Sequence, residues 1–179
     1  LEISDIDPNL VSRLEQEKAA LVGKLAAYEG KVQSYRDQVG NLESTRDLAV
    51  AAASFRLETG KQKVRAAEEA LRAAQAALSA AEARHARNVS LLADGIVSRR
   101  QFEIAERDAE QARTGVNRAE ADRAGAVADL QAAEQELTRI RVDQEAKIDS
   151  ARAALSDARG QAEDTRASLA KIEVQLARQ

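Results

Sequence analysis

Leu91-Leu92-Ala93-Asp94-Gly95-Ile96-Val97-Ser98-Arg99-Arg100-Gln101-Phe102 reads as one helix stopping and another starting at once. Gly95 enters the left-handed conformation without a Cβ clash, and a Schellman-type stop there brings Ile96 against Leu91. Ser98 and Gln101 have the spacing of a capping box, with Val97 and Phe102 placed to staple the start of the next helix. The expectation is a first helix over 8–93, a tip turn over 94–98 and a second helix over 99–179.

Outward from this turn, apolar residues recur in steps of three and four. Val11, Leu14, Lys18, Leu21, Leu25, Tyr28, Val32, Tyr35, Val39 and Leu42 form a heptad seam. The register then slips by four residues around Arg46, a stutter that locally unwinds a supercoil without breaking the helix. Val50, Ala53, Leu57, Gly60, Val64, Ala67, Leu71, Ala74, Leu78, Ala81 and His85 continue it. Beyond the turn, Phe102, Ala105, Ala109, Ala112, Val116, Ala119, Arg123, Ala126, Leu130, Ala133, Leu137 and Ile140 keep the rhythm. A second four-residue slip at Gln144 leads to Ile148, Ala151, Leu155, Ala158, Ala162, Leu169 and Leu176. Arg46 and Gln144 are equidistant from residue 95, so folding there sets one stutter beside the other. This mirror relation predicts an all-α fold, a long antiparallel two-helix coiled-coil hairpin with arms on the order of 120 Å.

Composition agrees. The 179 residues include two Phe, two Tyr, one Pro and no Trp, Cys or Met, while 32% are charged, too little bulk for a globular core. Ala105, Ala112, Ala119, Ala126 and Ala133 recur every seventh residue, so leucines of the first arm have a shallow groove to fill. Pairs such as Glu68 with Arg72 and Glu103 with Arg107 are spaced for ion pairs within one helix. The 27 basic and 30 acidic residues are interspersed, giving a net charge of −3 and no basic stripe for nucleic acid. No apolar run is long enough to span a bilayer, so direct membrane insertion is not expected of this stretch. No phosphate loop, paired nucleophile or metal-ligand cluster is present, so neither enzymatic activity nor a cofactor is expected. His85, the single histidine, reads as a packed seam residue.

At the other end, Asp7 suits an N-cap, Pro8 the first helical position, and Ile6 a staple onto Val11. Leu1-Glu2-Ile3-Ser4 has the character of an extended strand leaving a neighbouring domain. A chain without methionine, starting at Leu1, is read as part of a longer protein whose targeting and anchoring segments lie elsewhere.

The turn also carries Arg87, Leu91 and Ser98, an Arg, a Leu four residues later and a Ser seven after that. That spacing at a hairpin tip, with Leu-Leu-Ala-Asp-Gly-Ile-Val-Ser around it, resembles the HlyD/AcrA-type periplasmic adaptor (membrane fusion) family. The opening residues 1–7 are similar to the junction with the family's lipoyl-like domain. The resemblance implies a periplasmic hairpin of a protein anchored at the inner membrane. Its tip would meet a TolC-like outer-membrane channel, its absent domains would meet an inner-membrane transporter, and copies would pack side by side. Tripartite multidrug efflux or type I secretion would follow.

On this reading Arg87, Leu91 and Ser98 dock the channel, with Gly95, Ile96, Val97, Arg99 and Arg100 beside them. Each also has a local role to set against docking. Ser98 is explained as a cap, Leu91 as the Schellman contact, and Ile96 and Val97 as partners of Leu91 and Phe102. Arg87 is required by no cap or staple, while Arg99 and Arg100 put positive charge where the helix dipole disfavours it. Two other classes remain: a tethering coiled coil, expected to be one uninterrupted parallel rod, and a lipid-binding helix, which needs a broad apolar face.

Overall fold

The computed structural model describes residues 8–178 and contains two helices, α1 (Pro8–Ala93) and α2 (Arg99–Leu176). The expected cap at Asp7, the Ile6 staple and the strand-like opening lie outside the described residues. Both helices run without interruption through their stutters, and α2 packs back along α1 as an antiparallel hairpin. The second helix is shorter than the expected 99–179. After Leu176 the Arg178 N–H turns to the Gln175 carbonyl, the tighter three-residue bond with which a last turn frays.

Contacts divide the chain into two units at the stutters. One joins the described residues up to Leu48 with those from Ile140 onward; the other is Ala49–Arg139. In the first unit the core lies on α2, where Ile148 is fully covered and Ala151, Ala158, Ala162, Thr165 and Ile172 are buried. Complete burial of an isoleucine side chain is worth about 1.5–3 kcal/mol. In the second unit Ala105, Ala109, Val116, Ala119 and Leu137 of α2 are buried, with Ala53 and Gly60 of α1. A Cβ on Gly60 would come within 3.3 Å of a Leu130 methyl, so the arms approach closely there.

Every seam position expected on α1 is buried or half-buried, Arg46 included, and Gln144 is half-buried on α2. Three positions of α2 differ from expectation. Arg123, expected in the seam, is exposed: its guanidinium turns outward and lies 3.7 Å from Glu68. Thr165 and Ile172, which fill seam positions between Ala162 and Leu176, are buried. Thr165 can be there because its hydroxyl donates to the Gln161 carbonyl at 2.7 Å, leaving its methyl for packing.

Ion pairs between the arms show the register. In the first unit Lys18 meets Glu173 at 3.0 Å, Glu29 meets Arg166, Glu43 meets Arg152 at 2.8 Å, and Arg46 meets Glu145 at 3.7 Å. In the second, Glu68 meets Arg123, Glu82 meets Arg113 at 3.2 Å, and Arg84 meets Asp108 at 3.8 Å. Each advance along α1 is matched by a retreat along α2, as a single reversal requires. The expected pairs within one helix form with other partners. Glu68 is bound across the seam rather than to Arg72, and Glu103 pairs with Arg99 at 3.5 Å rather than with Arg107.

Candidate functional site

The hairpin tip is built by two caps placed back to back. Gly95 has φ +71°, its N–H donates to the Leu92 carbonyl at 3.1 Å, and the Ile96 N–H donates to the Leu91 carbonyl at 2.8 Å. These are the two bonds of a Schellman stop, and they satisfy carbonyls the helix end would leave open. Three residues later the reciprocal box closes. The Gln101 N–H donates to Ser98 Oγ at 3.3 Å, and the Ser98 N–H donates to Gln101 Oε1 at 3.0 Å.

Packing behind the caps makes the turn rigid. The Phe102 ring lies 5.4 Å from that of His85, tilted by 39°. His85 is thus half-buried in the seam as expected, with Nε2 buried and without a hydrogen-bond partner. Asn88 was not singled out in the sequence, yet its side-chain amide donates to the Gln101 carbonyl at 3.3 Å and ties the arms together. An asparagine in the last turns of a helix, where it is a poor helix former, was the available signal.

The candidate docking residues divide into those the fold uses and those it leaves free. Gly95 and Ser98 close the caps, and Leu91 is half-buried while its carbonyl accepts the turn's bonds. Val97 is half-buried and lines a shallow groove with Arg84, Asn88, Gln101 and Ile104. Ile96 is a partial departure. Its backbone makes the expected closure on Leu91, but its side chain stays 68% exposed. Arg87 and Arg100 are exposed and have no ion pair among the described residues, whereas Arg99 is held by Glu103. The fold thus leaves the guanidinium groups of Arg87 and Arg100 and the side chain of Ile96 exposed near the turn.

Among the described residues no group of three or more His, Cys, Asp or Glu side chains is placed to hold a metal ion. Among the described residues no helix is long and apolar enough to cross a membrane.

No family model matches the chain, and no curated protein matches it. Among solved structures, the periplasmic adaptor protein EmrA aligns with a TM-score of 0.81 at 19% identity, over 93% of this chain and 51% of that one. The chain thus spans about half the length of the adaptor it resembles. At this identity the likeness is one of fold: the chain has the architecture of a periplasmic-adaptor helical hairpin.

Proposed function

We propose that the chain is the hairpin arm of a periplasmic adaptor, anchored at the inner membrane through other parts of the protein. In this reading it links an inner-membrane transporter to a TolC-like outer-membrane channel, in tripartite efflux or type I secretion, and copies pack side by side. Its role is mechanical rather than enzymatic. The observation that carries this is the tip. Two caps, an aromatic contact and the Asn88 bond fix the turn, and the fold then leaves Arg87, Arg100 and Ile96 unused at its outer surface. A rigid surface holds such groups ready for a partner without the ordering entropy that a loose loop would lose on binding. Arg87 supplies a charge-assisted contact to an acidic channel surface, Leu91 and Ile96 the apolar one, and Ser98 sets their geometry as a positioning residue.

Reversing Arg87 to Asp tests the reading. Export through the assembled system is expected to fall by at least tenfold while helicity and melting temperature stay unchanged. Full export with normal assembly would remove Arg87 from the docking surface. The tethering alternative in its expected form, an uninterrupted parallel rod, does not fit a chain that reverses at Gly95.

A further inference from the structure

Of all the aspartates and asparagines in the chain, Asp94 alone precedes a glycine, and that pair lies in the turn of the tip. The other described ones lie inside α1 or α2, each followed by a residue with a Cβ. Asp94 is exposed, and among the described residues its carboxylate has no hydrogen-bond or ionic partner. Gly95 has no Cβ to shield its nitrogen. A free carboxyl group beside an unhindered backbone nitrogen is the pair of groups that closes a succinimide ring.

The folded turn blocks that reaction. The nitrogen attacks only after losing its proton, and the Gly95 N–H donates to the Leu92 carbonyl at 3.1 Å. On one side the Asp94 N–H is held by the Ser90 carbonyl at 3.1 Å; on the other the Ile96 N–H is held by the Leu91 carbonyl at 2.8 Å. Between them Gly95 is fixed at φ +71°. A hydrogen-bonded amide gives up its proton to water when the structure opens locally, which is why such amides are protected from hydrogen exchange. The same protection applies to attack by the nitrogen.

We propose that Asp94 is a site of spontaneous isoaspartate formation, gated by opening of the tip turn. In the open turn the Gly95 nitrogen loses its proton and attacks Cγ of Asp94. The N–Cγ bond forms and one Cγ–O bond of the protonated carboxyl group breaks, its oxygen leaving as water with its own proton and the one the nitrogen lost. Water then adds to either ring carbonyl. Addition at Cγ breaks the new N–Cγ bond and restores aspartate. Addition at the main-chain carbonyl carbon breaks the original bond to the Gly95 nitrogen and leaves the chain running through Cβ and Cγ. One water leaves and one enters, nothing is oxidised or reduced, and mass is unchanged. The main chain gains one methylene, which moves the Gly95 and Ile96 N–H groups off the Leu92 and Leu91 carbonyls. The Schellman stop then cannot close again. This follows from the turn alone and holds whatever the tip meets.

The test is to age the full-length protein at neutral pH and to locate isoaspartate by electron-transfer fragmentation in the mass spectrometer. The folded protein is expected to accumulate it at position 94 and at no other described aspartate. Unfolding the same protein in guanidinium chloride is expected to raise the rate at least tenfold. Ser98→Ala, which loosens the turn, is expected to raise it by about fivefold, the enlargement of an open population that a lost cap gives. Asp94→Glu, whose side chain would have to close a larger ring, is expected to stay unmodified. A fraction of the aged molecules equal to the isoaspartate content is expected to exchange the Ile96 amide at least tenfold faster than fresh protein, with no such fraction in aged Asp94→Glu. No isoaspartate at position 94 of the folded protein would overturn the site. Equal rates in folded and unfolded protein, or an unchanged rate in Ser98→Ala, would overturn the gate, and unchanged Ile96 exchange in isomerised molecules would overturn the loss of the stop.

Discussion

The shaft and the tip of this hairpin use the same residue types to opposite effect. Along the first unit charged side chains find each other across the seam, as Lys18 with Glu173 and Glu43 with Arg152, and apolar groups close over Ile148. At the tip two caps bond the backbone of the turn, yet Arg87 and Arg100 have no ion pair among the described residues and Ile96 stays in water. The difference separates what holds the fold from what the fold holds out. Exposed ion pairs on the shaft are worth about 0–1 kcal/mol each, so the seam beneath them carries the stability.

The largest expected effect is at the centre of that seam. Ile148→Ala should destabilise the hairpin by about 2–5 kcal/mol in urea unfolding, whereas Phe55→Ala, at a side chain 75% exposed, should cost less than about 0.5 kcal/mol. Equal losses would contradict the assignment of the seam. Next comes the tip backbone. Gly95→Ala forces a Cβ into the left-handed region at φ +71° and should cost about 1–2 kcal/mol by the same assay. Ser98→Ala removes one half of the reciprocal cap and should cost about 1 kcal/mol, with faster hydrogen exchange at the Gln101 amide as the local readout.

The smallest effect is electrostatic. Arg139 donates to both carboxylate oxygens of Glu136 at 2.9 Å and holds that acid below the usual carboxylate range. A carboxylate lowered in the folded state contributes stability above its unfolded value, and that contribution is lost as pH falls through the folded one. Glu136→Gln should therefore flatten the acid side of the melting-temperature profile slightly and leave the neutral side almost unchanged. A steeper acid side would contradict the pairing.

Much of this was legible in the sequence because it depends on local chemistry. The turn follows from Gly95, Ser98 and Gln101, whose bonds are all within a few residues, and the seam from a period that every turn of helix repeats. What was missed depends on the other arm. Arg123 occupies a heptad position but swings out to Glu68, since a guanidinium gains more from water and an acid than from an apolar seam. Thr165 counts as polar in a pattern, yet hides its hydroxyl on its own helix. Glu68 had an arginine four residues ahead, and only the facing arm shows that Arg123 takes it instead. The Asn88 bond joins residues thirteen apart across the turn, beyond any helical spacing rule.

The docking role of the tip is tested most directly by a photoreactive side chain placed at Ile96 in cells, with the same group at exposed Glu120 on the shaft as control. The expected result is an adduct from position 96 to an outer-membrane channel subunit, identified by mass spectrometry, and none from position 120. Channel adducts from the shaft with none from the tip would contradict the account.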